Sequence, residues 1–447
     1  MFKKVVIANR ALVASRIVRT LKRMGVATVA VHSEADRDLP FVAEADEAYC
    51  IGPAPAKQSY LNVDAVMDVV AKTNADGLHP GYGFLSENCD FAGRVEAIGC
   101  RFIGPHPDHV HAMGDKVRAR AKAAEAGVPV LGASPPISPD DPALADIAAR
   151  VGYPLLVQAA AGGGGIGMQK VMDAGQLAAA VKKTRDLSER AFGDGAVYLE
   201  RYLVEPRHVE FQMIGDGKGA VRAIFERDCS IQRRYQKLIE ETPAPGVGGK
   251  AEAMAARLEK TLAGWNYDSL GTVETLMDAN GDFYFLEMNT RLQVEHGVTE
   301  MTTGLDLVDI QMRIAAGASL SDVLPPTVAR HGHSIEARVY AEDPVRFLPS
   351  PGTLSVFRPP VMGGVRVEVA TAEGATVTPY YDPLLALVMA WGKDRAEATR
   401  RLDDALAAFA VEGVKTNIPF LRRVLASEDF IMGRHHTAFA EAFAKAA

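Results

Sequence analysis

From Glu287 to Glu295 the chain reads Glu-Met-Asn-Thr-Arg-Leu-Gln-Val-Glu, polar at every second position. As an extended strand this run sets Glu287, Asn289, Arg291, Gln293 and Glu295 on one face, because strand side chains alternate with period two. Just upstream, Gly271–Asp278 and Asp282–Met288 flank Asn280-Gly281, a strong short-range hairpin signal. A two-residue loop there pairs Asp278 with Phe283 and, counting back, sets Glu274 directly opposite Glu287. Facing carboxylates destabilise a ladder, and a hard divalent cation with oxygen ligands relieves them. Acids, amides and a lone guanidinium on one surface are the residue types of metal-assisted phosphate chemistry. A merely solvated sheet face is the plain alternative.

A second feature is Ala161-Gly-Gly-Gly-Gly-Ile-Gly167, with Gly162, Gly163, Gly164, Gly165 and Gly167. Four consecutive glycines carry a large ordering cost for an indifferent surface turn. The run lacks the Lys-Ser/Thr of a Walker A loop and precedes a strand rather than a helix. A glycine clamp between two strands can cover phosphates with backbone N–H groups; no HRD or DFG sequence accompanies it, which excludes a protein kinase. Lys116 in Met-Gly-Asp-Lys and Lys237 in Ser-Ile-Gln-Arg-Arg-Tyr-Gln-Lys are further candidates for anion contact. So is the Arg233-Arg234 pair. Glu200 with Arg201, and His208, are candidates for an adenine and ribose.

These side chains need elements to hold them. Val5–Ala8 reads as a buried strand, Ala11–Met24 as a helix through Leu12, Ile17, Val18 and Leu21, and Ala27–Val31 as the next strand. This βαβ rhythm predicts a parallel sheet covered by helices. The turn after the first strand, Asn9-Arg10-Ala11-Leu12, has no glycines, which excludes a dinucleotide fingerprint. His79-Pro-Gly-Tyr-Gly-Phe84 is a turn at a strand end whose Tyr82 and Phe84 are placed to line a pocket. A helix follows over Asp115–Ala126, then a Pro-rich stretch around Pro135–Pro142. Leu131–Leu203 reads as a small inserted unit with strands at Pro154–Ala159, Met168–Met172 and Ala196–Tyr202 and a helix at Ala174–Arg190. Mixed strands run on to Asp278, and a helix spans Leu305–Ala316. From His331 short strands dominate (Ser334–Tyr340, Gly364–Val369, Ala386–Ala390), followed by a helix at Arg395–Phe409 and a helical tail.

At 447 residues the chain is too long for one ordinary core, so several subdomains are expected. A formal charge of -7 argues against nucleic acid as a partner. Nothing approaches the ~20 apolar residues of a membrane span, and Met1 leads straight into strand-like sequence rather than a signal peptide. Cys50, Cys89, Cys100 and Cys229 are scattered without a CxxC pair, as expected for reduced cytoplasmic thiols.

Taken together the chain resembles biotin carboxylase, of the ATP-grasp superfamily, over essentially its whole length. The resemblance rests on Ile7-Ala-Asn-Arg10, His79-Pro-Gly-Tyr-Gly-Phe-Leu-Ser-Glu-Asn88, Met113-Gly-Asp-Lys116 and Glu226-Arg-Asp-Cys-Ser-Ile-Gln-Arg-Arg234. It continues through Glu287–His296, Ala341-Glu-Asp-Pro344, Phe347-Leu-Pro-Ser-Pro-Gly352 and Gly413-Val-Lys-Thr-Asn417. It implies an α/β and α+β ATP-grasp fold: a βαβ unit at 1–114, an ATP-grasp unit at 115–330 with a mobile lid at 131–203, and a C-terminal unit at 331–447. It implies ATP- and bicarbonate-dependent carboxylation of biotin through carboxyphosphate. Glu274, Glu287 and Asn289 would hold Mg2+ (or Mn2+); Arg291, Gln293, Val294 and Lys237 would bind bicarbonate. Glu295 would be the general base, Arg338 would stabilise the biotin enolate, and Tyr82 would lie by the biotin ring. Lys116, Gln158, the glycine loop, Glu200, Arg201, Leu203, His208, Gln232, Tyr235 and Leu276 would surround the nucleotide. A biotin carboxyl carrier protein and a carboxyltransferase are expected on other chains, and the enzyme is expected to be a homodimer.

The match breaks in places. Gln158 stands where the family has a lysine reaching the ATP phosphates, and Tyr235 replaces a histidine. Ile166 replaces a basic or polar residue, Ala11-Leu12-Val13 replaces Gly-Glu-Ile, and Gly297 replaces a proline. Most of these sit on the nucleotide side. A second reading therefore stands beside the first: a degenerate subunit with weak or no ATP turnover, serving a binding or assembly role or a different acceptor.

Overall fold

The computed structural model describes residues 1–138, 140–160 and 168–445. The glycine run expected to cover phosphates, Gly162–Gly165 and Gly167 with Ile166 among it, lies outside the described residues.

The first strands form a parallel sheet: β1 (Lys4–Ile7), β2 (Ala27–His32), β3 (Glu47–Cys50), β4 (Gly77–His79) and β5 (Arg101–Phe102), in the order β3-β2-β1-β4-β5. β1 is central and its Val5, Val6 and Ile7 are fully buried, as a strand covered on both faces must be. The helix Ala11–Arg23 packs Leu12, Ile17, Val18 and Leu21 onto the sheet, as its periodicity predicts. Strand order reverses at β1, so the turns after β1 and β4 open side by side. Asn9 ties them together: its Nδ2 donates to Pro80 O at 2.7 Å and to Tyr82 O at 2.8 Å. Ala11 enters the helix with φ of 51°, a left-handed value costing an L residue about 1–2 kcal/mol that glycine would not incur. The departure at Ala11 is thus a strained one.

β6 (Leu155–Ala159), β7 (Met168–Val171) and β8 (Val197–Arg201) make a separate three-stranded antiparallel sheet in the order β7-β6-β8. It is backed by the helix Leu177–Phe192 and by a helix Leu144–Val151 that the Pro-rich stretch before it masked in the sequence.

Beside two small two-stranded sheets that pair Gly352–Thr353 with Thr376–Val377 and Val356–Arg358 with Ala410–Glu412, most of the remaining chain is organised on one eight-stranded sheet. It contains β9 (Arg207–Gly215), β10 (Val221–Arg233), β11 (Gln236–Thr242), β12 (Leu270–Met277), β13 (Phe283–Asn289), β14 (His333–Tyr340), and the strands Leu384–Gly392 and Val365–Val369. Their order is β13-β12-β9-β10-β11-β14, then Leu384–Gly392 and Val365–Val369. Antiparallel pairing of β11 with β14 carries this sheet unbroken past residue 330. The region read as mixed strands up to Asp278 also holds a helix, Gly248–Gly264, burying Ala251, Met254, Leu258 and Leu262. That spacing was present in the sequence, but Gly246-Val-Gly-Gly249 ahead of it reads as turn. Among the described residues no helix is long and apolar enough to cross a membrane.

Two expectations for the hairpin are corrected. The tip is a three-residue turn, with Asp278 N donating to Asp282 O (3.0 Å) and Gly281 in the left-handed region at φ 80°. Met277 therefore pairs with Phe283, one residue out of the expected register. A bulge between Glu274 and Thr275 absorbs Leu286 as an extra residue and restores the count, so that Glu274 does face Glu287. The strand also ends at Asn289. Residues 290–295 are a loop leading into the helix His296–Thr303, so Arg291, Gln293 and Glu295 reach the site from a turn rather than a strand face.

Candidate active site

Register places one row of charges across four strands. Glu287 on β13 lies opposite Glu274 on β12, Glu274 opposite Glu210 on β9, and Glu210 opposite Arg227 on β10. Neighbouring rows add His208 opposite Leu276 and Gln212 opposite Thr272. Arg227 is fully buried and donates from Nε to Glu210 Oε1 (2.6 Å) and from Nη1 to Gln212 Oε1 (2.8 Å).

Lys237, at the start of β11, reaches into this row. Its ammonium donates to Glu210 Oε2 at 2.7 Å, Glu274 Oε1 at 2.9 Å and Glu295 Oε1 at 2.6 Å. The other oxygen of Glu295 accepts from Arg338 Nη2 at 2.8 Å, and Arg338 Nε donates to Glu240 Oε1 at 2.5 Å. Burial pushes the Glu295 carboxyl up, but Lys237, Arg338 and Arg227 outweigh it and hold it well below the usual carboxylate range. Glu274 is likewise held low against burial, by Lys237 and His208. Burial pulls His208 down, yet Glu274, 3.2 Å from its Nε2, holds the imidazole above its ordinary value.

Arg291 is placed by three side-chain acceptors, Glu87 Oε2 (2.9 Å), Asn289 Oδ1 (2.6 Å) and Gln293 Oε1 (3.1 Å), and by the backbone carbonyl of Leu292 (3.3 Å). Gln293 Nε2 in turn donates to Glu274 Oε1 (3.1 Å). Val294 follows in the same loop. Half-buried Tyr82 lies close enough to Arg338 and Glu336 to feel both; burial is the largest influence and raises its phenol.

On the nucleotide side, Lys116 Nζ lies 3.2 Å from Glu287 Oε2. Gln158 Nε2 donates to Glu200 Oε2, and Arg120 Nη1 donates to Glu200 Oε1 at 2.8 Å. The charge on Glu200 is therefore met by Arg120, not by residue 158. Burial raises the Glu200 carboxyl and Arg120 opposes that. Alternation along β8 turns Arg201 away from Glu200, and its side chain is exposed outside the cluster. Leu203 and Leu276 are half-buried, and Gln232 is buried opposite Lys237. Tyr235 is 63% exposed and shares a two-residue turn with Arg234, at φ 49° and 64°. Such a turn favours Asn-Gly, so two bulky residues held there are strained next to Lys237. Gly297, the other departure near this site, makes room for Met389: a Cβ there would meet its Sδ, and that buried side chain would have to shift.

The expected ligands Glu274, Glu287 and Asn289 are all oxygen donors, as a hard cation needs, and the facing pair Glu274–Glu287 calls for positive charge. They fit a magnesium ion. Among the described residues two other groups bring ligand atoms together, His208–Glu210–Glu274 and Glu210–Cys229–Glu295. Both are weaker candidates for a hard cation, since imidazole and thiol suit softer metals. Sequence reasoning missed Glu87, Arg120, Glu210, Arg227, Glu240 and Glu336. For Glu210 the signal was present in Arg207-His-Val-Glu-Phe-Gln212, where polar residues alternate.

The family described as "Biotin carboxylase, N-terminal domain" matches residues 1–110. "Carbamoyl-phosphate synthase L chain, ATP binding domain" matches 115–323, and "Biotin carboxylase C-terminal domain" matches 336–442. The chain is 46% identical over 440 residues to biotin carboxylase 2 of Bacillus subtilis, covering 98% of this chain and 99% of that one. The chain belongs to the biotin carboxylase family. Among solved structures it is similar to the Campylobacter jejuni biotin carboxylase β,γ-ATP complex, with TM-score 0.95 and 39% identity over 99% of each chain. It is also similar to the biotin carboxylase domain dimer of the Hydrogenobacter thermophilus 2-oxoglutarate carboxylase. That match has TM-score 0.94 and 41% identity, covering 99% of this chain and 98% of that one. The Hydrogenobacter domain was solved with MgADP, ADP and bicarbonate. Biotin carboxylases are ATP-dependent ligases, and these matches give no support to the degenerate reading.

Proposed function

We propose that this chain carboxylates biotin borne on a carrier protein, using ATP and bicarbonate through carboxyphosphate, as the first half-reaction of a biotin-dependent carboxylase. The observation that supports this best is the Lys237–Glu295–Arg338 chain of contacts, which joins an anion-binding lysine, a buried carboxylate and a cation facing the Tyr82 turn.

Glu295 is the base for bicarbonate, but in the resting site it is masked: with Lys237 and Arg338 on its two oxygens it is too weak to take a proton. Bicarbonate offers Lys237 and Arg291 another anion. Drawing Lys237 away raises the basicity of Glu295 as the substrate arrives, so proton removal and attack on the γ-phosphate are coupled to bicarbonate binding. Magnesium held by Glu274, Glu287 and Asn289 would offset the phosphate charge. Phosphate released from carboxyphosphate then removes the biotin N1′ proton, and Arg338 stabilises the enolate oxygen by charge-assisted hydrogen bonds. Lys116, Gln158, Glu200, Leu203, His208, Gln232, Tyr235 and Leu276 face the nucleotide, with the backbone of Arg201 beside them. Residues 131–203 act as the lid that excludes water from the labile intermediate. The protein works with a biotin-bearing carrier and a carboxyltransferase and as a homodimer, and its four free cysteines fit a cytoplasmic setting.

The test is ATP cleavage by purified protein. It is expected to require bicarbonate and to rise on addition of free biotin. Cleavage indifferent to both would refute the reading, and stimulation by bicarbonate but not biotin would point to another ATP-grasp ligase.

At residue 158 the expected result is a gain. Arg120 already neutralises Glu200, which leaves a lysine introduced at Gln158→Lys free to turn to phosphate. A charge-assisted hydrogen bond of about 1.5–3 kcal/mol corresponds to roughly ten- to a hundredfold in ATP affinity or turnover. Unchanged ATP titrations and turnover in this variant would show that the lysine is not what this pocket lacks.

A further inference from the structure

Glu240 on β11 and Glu336 on β14 face each other in the antiparallel register, and both are fully buried. Of their four carboxyl oxygens only Glu240 Oε1 has a hydrogen-bond partner, Arg338 Nε; Glu240 Oε2 and both oxygens of Glu336 have none. The neighbouring elements supply little. Across the Leu384–Gly392 strand Glu336 faces Met389, and the helix start beside it presents Gly297 without a side chain. The charged groups within reach are Lys237 on β11, Arg338 on β14, Glu295 ahead of the helix His296–Thr303, and Arg366 on the strand Val365–Val369; Tyr82, Cys229 and Tyr340 also lie near enough to feel the pair.

We propose that Glu240 and Glu336 share a single proton and act together as a positioning pair for Arg338. Side chains directly opposite on antiparallel strands lie ~4.5–5.5 Å apart at Cβ. Two carboxylates at that spacing, buried and with one guanidinium contact between them, cannot both stay ionised. Burial raises both, Glu240 to about 7 and Glu336 well above the usual range. Arg338 sits on Glu240, so Glu240 carries the charge and Glu336 the proton. The Glu336 hydroxyl then donates to the free oxygen of Glu240 and fixes that carboxylate toward Arg338 Nε.

This rests on Arg338 being the biotin-facing cation. When Glu295 takes the bicarbonate proton, Arg338 loses one of its two anionic partners. Glu240 remains, and holds the guanidinium in place for the second step. Because Glu336 in the folded pair keeps its proton well above the ordinary carboxylate pKa, its contribution is present at low pH and is lost as pH rises through that raised value.

Two measurements on the full chain decide this. Infrared difference spectra at mildly alkaline pH are expected to show the C=O stretch of a protonated carboxyl group in the wild type and to lose it in Glu336→Gln; identical spectra overturn the shared proton, whatever the enzyme does. In kinetics, Glu240→Gln is expected to lower biotin carboxylation at least tenfold more than it lowers biotin-independent, bicarbonate-dependent ATP cleavage. Glu336→Gln is expected to remove the alkaline fall of carboxylation. Equal losses in both rates of Glu240→Gln, or a Glu336→Gln profile with the wild-type alkaline limb, overturn the positioning role. Absence of any biotin-dependent rate in the wild type counts against the proposed function and leaves the infrared result to judge the pair.

Discussion

Lys237→Met is expected to destabilise the protein most at alkaline pH and least near pH 5, and to abolish bicarbonate-dependent ATP cleavage. The ammonium contacts Glu210, Glu274 and Glu295, all of them buried. Removing one partner of a buried ion pair costs about 3–5 kcal/mol, because the remaining charge stays desolvated. The sign with pH follows from the carboxyls. In the wild type Glu274 and Glu295 are held below their ordinary pKa, so their stabilisation is present above that pKa and lost as pH falls. Without Lys237 burial is less opposed and their pKa values rise, so the variant loses stability as pH rises. The gap in melting temperature should therefore widen between about pH 5 and about pH 8. A gap that stays constant across that range would mean that Lys237 contributes packing rather than charge.

Glu295→Gln is expected to slow bicarbonate-dependent ATP cleavage by roughly 10²–10⁴-fold, the usual contribution of a positioned base, while leaving ATP dissociation almost unchanged. Glutamine keeps the shape and accepts from Arg338, and Lys237 keeps Glu210 and Glu274, so the site does not collapse. What it lacks is the ability to take a proton. The separation matters because the residues proposed to hold the nucleotide, Lys116, Glu200 and His208, pair with Glu287, Arg120 and Glu274 rather than with Glu295. Single-turnover ATP cleavage beside equilibrium nucleotide titration checks it. A rate within about tenfold of wild type would move the base elsewhere, with the phosphate of ATP itself the next candidate.

The legible parts of this protein were those written in local pattern. The first strand, helix and strand fall within a residue or two of where apolar spacing puts them, because β1 is buried on both faces and its helix has one apolar stripe. The opposition of Glu274 to Glu287 was correctly anticipated, but by two offsetting errors. A third turn residue shifts the register by one, and Leu286 in the bulge shifts it back. No local rule distinguishes an Asn-Gly that forms a two-residue loop from one whose glycine closes a three-residue loop. The strand past Asn289 was overextended because alternation continues through a loop that happens to keep its polar residues on one side. Glu210, Arg227, Glu240 and Glu336 were missed for a different reason. Their partners lie on other strands, and their meaning appears only when strands far apart in sequence are set in register. Arg120 was hidden likewise, on a helix whose other residues gave no reason to single it out.

The contact between Glu87 and Arg291 spans 204 positions of the chain, and that between Arg338 and Glu295 is made only after β14 exists. As the polypeptide emerges during synthesis, the carboxylate row can form from β9 to β13 while the pocket stays unfinished. Pairing across such long separations is slow, since loop closure must precede the reward. β14 thus brings Arg338 and Glu336 to a row already holding Lys237 and Glu240. A chain ending near residue 330 would hold Lys237 against Glu295 but leave the other oxygen of that carboxylate without its guanidinium.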